Sequence, residues 1–199
     1  DPVGDACDPH PATDGDRIVL FDGFGGSALD PAWTLAAGTN GWSVAGDAVS
    51  FAETTSGNIL LRSDVTEANV LVEAAITPVS NADLDYYSVP SDNAGIVLRA
   101  TGEDGALCNL QVSIDYFGDM HRSLRAAQMF DNDAGTALDS AEVSSPLTGT
   151  RRVVTARVEG QRYQCNADPG LAVPASAGFD DYNEWLTEGS VGLRANRLG

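Results

Sequence analysis

The amino-acid sequence predicts an all-β fold, an antiparallel two-sheet β-sandwich. Three observations carry that prediction. Apolar residues fall into roughly ten or more short runs, about 8–14 residues apart and separated by Gly, Pro, Asn and Asp. Several runs alternate apolar with polar side chains, the period of two that sends successive residues to opposite faces of a strand. Helical patterning is confined to one candidate of one or two turns over 180–186 (DDYNEWL).

Residues 1–16 (DPVGDACDPHPATDGD) are rich in Asp, Pro and Gly and read as a flexible N-terminal linker ahead of a domain over 17–199. The run 18–21 (IVLF) reads as a first strand, closed by Asp22-Gly23. Residues 41–51 read as a hairpin around Gly46-Asp47, the turn chemistry such connections favour. A short strand follows at 58–61. Over 69–76, Val70, Val72 and Ala74 share one face and Leu71, Glu73 and Ala75 the other. Further strands are expected at 94–100, 107–116, 123–130, 152–159, 163–167 and 190–195.

The charge is unusual. Eleven basic residues, all Arg, stand against 29 acidic ones for a net charge of −18. Such a field repels phosphate backbones and anionic lipid, so nucleic acid is not an expected partner. The Lys-free surface suits a high-salt or calcium-rich setting, or equally a genome that favours Arg codons. No apolar stretch reaches the roughly 18 residues needed for a membrane span, so no membrane insertion is expected. The opening residues show neither the basic nor the apolar region of a signal peptide.

Of the three cysteines, Cys108 and Cys165 lie in alternating runs; on neighbouring strands they would form a disulfide, which favours an oxidising compartment. Cys7 is then the odd one. With only His10 and His121, a Cys/His zinc site is not expected.

Several segments together resemble concanavalin A-like lectin/glucanase domains, of the LamG-like jelly-roll kind. They are Phe21-Asp22-Gly23-Phe24 with Leu29-Asp30-Pro31-Ala32-Trp33, the Trp42-Ser43-Val44 hairpin, and the strand from Asn69 to Ala74. Asn93 to Arg99 and Gly189 to Arg194 complete the set. The resemblance covers about residues 17–198 and implies a jelly roll in a secreted or cell-surface bacterial protein, with Trp33 and Trp42 in the core. Such domains usually finish with one more strand, of F-D-x-V type, whereas this chain ends at Leu198-Gly199. Glycan binders, glycosidases and mechanical spacers share the fold, so function must come from the site.

Glycosidase chemistry needs two carboxylates flanking the scissile bond, about 5–5.5 Å apart in retaining enzymes. On one strand that means acids two residues apart. The E-x-D-x-x-E and E-x-D-x-E patterns of the superfamily's hydrolases are absent, and the pairs Asp83/Asp85, Asp131/Asp133 and Asp180/Asp181 fall in turn-like surroundings. No Gly-x-Ser-x-Gly elbow occurs. The Gly-rich stretch 23–28 is stopped by Leu29-Asp30-Pro31 before any helix begins, so it is not a dinucleotide loop. A P-loop requires Lys, which the chain lacks.

Binding residues are therefore sought instead. Arg99, Asp115 and Tyr116 offer bidentate hydrogen bonds and a stacking face for a sugar ring. Tyr86, Tyr87 and Trp185 fall in loops, where contacts concentrate. The acids Asp131, Asp133 and Asp139, with Glu142 beyond, space like an EF-hand loop. Gly135 at its fifth position, Thr136 at its sixth and the missing helices break that match. An Asp-rich turn holding structural calcium remains the cofactor expectation. The sequence thus points to a non-catalytic binding or adhesion module whose partner is a carbohydrate or cell-surface component. The alternatives are a carbohydrate-active enzyme with a non-standard carboxylate pair and a structural protein–protein interaction domain.

Overall fold

The computed structural model describes residues 17–52, 57–78, 92–114, 119–131, 137–143, 147, 149–168, 172–173 and 186–196. These form thirteen β-strands and no helix. The strands are β1 (Trp33–Ala37), β2 (Trp42–Val44), β3 (Val49–Phe51), β4 (Asn58–Glu67), β5 (Val70–Ile76), β6 (Asp92–Thr101) and β7 (Asp104–Ile114). They continue as β8 (Met120–Met129), β9 (Ala137–Glu142), β10 (Arg152–Glu159), β11 (Arg162–Ala167), β12 (Ala172–Val173) and β13 (Gly189–Asn196). Every pairing is antiparallel: a seven-stranded sheet β1-β4-β13-β6-β7-β8-β9, a four-stranded sheet β12-β11-β10-β5, and the hairpin β2-β3.

The two larger sheets close on a core drawn from alternate residues of each. Ile96, Leu98, Leu110 and Leu124 come from the seven-stranded sheet, Val154, Ala156, Val158 and Tyr163 from the four-stranded one. On β5, Val70, Val72 and Ala74 pack against this core while Leu71, Glu73 and Ala75 are exposed, as the alternation requires. A disulfide joins Cys108 on β7 to Cys165 on β11. Its strands face each other across the core; they are not neighbours in one sheet, as the sequence reading supposed.

The hairpin forms as expected, and both turn residues, Gly46 (φ 60°) and Asp47 (φ 59°), take the left-handed backbone of a type I′ turn. Other expectations are corrected. Residues 18–21 are not a strand: Ile18 and Phe21 are exposed and no ladder forms, although Leu20 packs against the core. The strand expected at 58–61 runs to Glu67 as β4. Asp139 and Glu142, read as part of an acidic loop, lie in β9, paired with β8 at the edge of the sheet. An edge strand tolerates such polar side chains, Glu142 exposed and Asp139 half-buried. The helical candidate at 180–186 lies, except for Leu186, outside the described residues, as does the N-terminal linker over 1–16.

The motif over 21–33 is a structural knot. Asp22 accepts from the Phe24 N–H (2.8 Å) and from the Trp33 indole N–H (2.7 Å). Arg62, the cross-strand partner of Trp33, lies 5.7 Å from its ring centroid and gathers Asp22, Asp30 and Asp64 around its guanidinium.

Candidate functional site

Alternation gives the seven-stranded sheet a second face, turned away from the inter-sheet core; most of it is buried too, and its apolar residues Leu61, Val97, Leu107 and Ala127 form a second core cluster. Cross-strand register lays its residues out in rows. One row is apolar: Leu61, Gly192, Val97, Leu107 and Ala127. Two residues along each strand comes apolar Ile59 on β4, followed by Arg194, Gly95, Asn109, Arg125 and Ser140; two further on β13 to β9 come Asn196, Asn93, Gln111, Ser123 and Glu142. The face thus changes from apolar to polar along the strands. Five strands at about 4.8 Å spacing make each polar row about 19 Å long.

Asn109 is the floor of this polar half. It is fully buried, and neither its amide nitrogen nor its amide oxygen has a hydrogen-bond partner. Leaving such groups unpaired costs roughly 1–3 kcal/mol each. Gly95 opposite makes the position possible, since a Cβ there would stand 2.6 Å from the Asn109 Cβ. The surrounding groups are hydrogen-bonded to one another: Arg194 Nη1 donates to Asn93 Oδ1 (2.7 Å), and Arg125 Nη1 donates to Gln111 Oε1. Ser123 and Arg125 are half-buried, and Ser140 and Glu142 are exposed, so the polar half opens toward β8 and β9. Burial pushes the Arg125 guanidinium below its ordinary pKa.

Arg99 stands elsewhere. It is buried, with left-handed backbone (φ 48°), and donates from Nε to the Ala68 carbonyl (2.7 Å) and from Nη1 to the Leu186 carbonyl (3.0 Å). It therefore pins the β4–β5 turn to the segment ahead of β13. Asp115, Tyr116, Tyr86, Tyr87 and Trp185 lie outside the described residues, as does Asp133. Of the calcium candidates that are described, the Asp131 N–H donates to Asp104 Oδ1 (2.8 Å), and Asp139 Oδ1 accepts from the Ser140 N–H (2.8 Å). Among the described residues no three His, Cys, Asp or Glu converge as metal ligands.

Sequence reasoning passed over Asn109, Gln111 and Arg125. The signal was present in Asn109, Gln111 and Ser113, polar residues in step on an otherwise apolar strand. No family model and no curated sequence matches this chain. Among solved structures it is similar to the carbohydrate binding module CBM66 from Bacillus subtilis, at 18% identity and a TM-score of 0.58. The match covers 83% of this chain and 88% of that one. That likeness shows the fold.

Proposed function

We propose that this domain is a non-catalytic glycan-binding module of an exported protein, and that the polar half of the outer face of the seven-stranded sheet receives the sugar. Asn109 carries the reading. Its unpaired amide supplies both a donor and an acceptor, which is what a hydroxyl-bearing ring requires of a polar floor. Arg125, Gln111 and Ser123 stand beside it with matching chemistry. The similar solved structure is titled a carbohydrate binding module, which favours the same use of the fold, and this chain's resemblance to concanavalin A-like domains agrees with it. The Cys108–Cys165 disulfide favours an oxidising, extracytoplasmic setting.

An enzymatic role has less support. Among the described residues the two polar rows hold one acid, Glu142, where glycosidase chemistry needs two. The proposal does not extend to calcium. Affinity electrophoresis against a panel of plant and microbial polysaccharides tests it. At least one polysaccharide retards the protein, and Asn109→Ala weakens that retardation about tenfold with the melting temperature kept. Free migration through every polysaccharide removes the proposal.

A further inference from the structure

Resting on that reading, we propose that the sugar received by this face carries a carboxylate, and that Arg125 is the residue that reads it. With 29 acids to eleven arginines, carboxylates are plentiful partners in this chain. Arg17, Arg62, Arg152 and Arg157 pair with them. Arg125 is unlike these four, because its side-chain partner is the neutral amide of Gln111; unlike Arg99 and Arg194, which are buried, it is only half-buried. Among the described residues no acid pairs with it. Glu142, the one acid in the two polar rows, lies exposed on the edge strand at the register position of Ser123.

A guanidinium taken partly out of water without a counter-charge is unfavourable, and burial does depress its basicity. The arrangement gains its compensation when an anion arrives. Gln111 Oε1 occupies one of the five N–H donors and fixes the plane of the group, leaving the others for a two-point contact with a planar carboxylate. Arg194 adds a second cation in the same row, two strands beyond Asn109. Asn109, the register partner of Arg125, brings the buried amide beside the charge. One face therefore combines a charge reader with a hydroxyl reader, the pair of features a uronic acid presents on one ring. The chain's overall charge of −18 repels such a ligand at long range, so recognition depends on the short-range contact with Arg125.

The test is calorimetric titration of the whole chain with oligogalacturonate and oligoalginate, each compared with the same oligomer after reduction of its carboxyls to primary alcohols. A panel of neutral polysaccharides is run alongside. The acidic forms bind about tenfold or more tightly than their reduced counterparts. That preference collapses in Arg125→Gln, survives in part in Arg125→Lys, and narrows as sodium chloride rises. Asn109→Ala weakens acidic and reduced forms alike. Equal affinity for acidic and reduced oligomers, binding of neutral polysaccharides alone, or a preference that persists in folded Arg125→Gln overturns the uronate assignment and leaves the glycan-binding function standing. Failure of every acidic and neutral glycan to bind overturns both.

Discussion

Cys108 on β7 and Cys165 on β11 are joined across the core with their Cα atoms 5.4 Å apart, so one covalent bond ties the seven-stranded sheet to the four-stranded one. The bond spans 57 residues of sequence, and closing a loop of that length in the unfolded chain removes about 4 kcal/mol of its entropic advantage. Reduction, or the double change Cys108→Ala/Cys165→Ala, is expected to lower unfolding free energy by about that amount, read from urea curves with and without reductant. A midpoint indifferent to reductant would contradict it.

Arg62 organises the opposite end of the sheet. Its guanidinium serves Asp22, Asp30 and Asp64 and faces the Trp33 ring, with its side chain 10% exposed. Arg62→Ala leaves three partly solvated carboxylates without their shared cation and is expected to cost about 1 kcal/mol. The Trp33 fluorescence shifts to the red as Asp22 lets go of the indole. Unchanged emission would show that the knot does not depend on Arg62.

The same cluster sets an acid limb. The hydrogen bond from Arg62 holds the Asp64 carboxyl below its ordinary value of 3.8. A carboxyl whose folded pKa is depressed stabilises the fold above the unfolded value, and that contribution disappears as pH falls through the folded one. Melting temperature therefore declines as pH falls below about 4, and Asp64→Asn shallows the decline. Parallel pH profiles for the two proteins would argue against the linkage.

Tyr163 presents the reverse case. Its ring is fully buried in the inter-sheet core and its hydroxyl has no hydrogen-bond partner, while burial drives the phenol pKa well above 10.0. Tyr163→Phe removes a desolvated polar group and keeps the ring. It is expected to raise unfolding free energy by about 1 kcal/mol. A loss of stability on this change would mean that the hydroxyl is satisfied in solution.

The two-sheet architecture was legible because it follows from alternation. Val70, Val72 and Ala74 could be assigned to one face from the chain alone, and the Gly46-Asp47 turn from its residue types. What failed had specific physical causes. Ile18 to Phe21 has the composition of a strand, but exposed Ile18 and Phe21 have no ladder to join. Asp139 and Glu142 read as loop acids because an edge strand needs only one apolar face. The site was harder. Arg99 reads as a sugar contact beside Asp115 and Tyr116, yet its guanidinium holds the carbonyls of Ala68 and Leu186. Asn109 stands in step with Gln111 and Ser113, but neutral polar residues on a strand also suit a solvent face, and only burial and the missing partners single it out.

The central claim is that the outer, polar half of the seven-stranded sheet is where a glycan binds. Backbone amide NMR during titration with a polysaccharide that retards the protein tests this most directly. Shifts concentrated on Asn109, Gln111, Ser123 and Arg125, with the solvent face of β5 and β10 unmoved, are the expected result. Shifts confined to the four-stranded sheet, or to the Trp33–Arg62 knot, would contradict it.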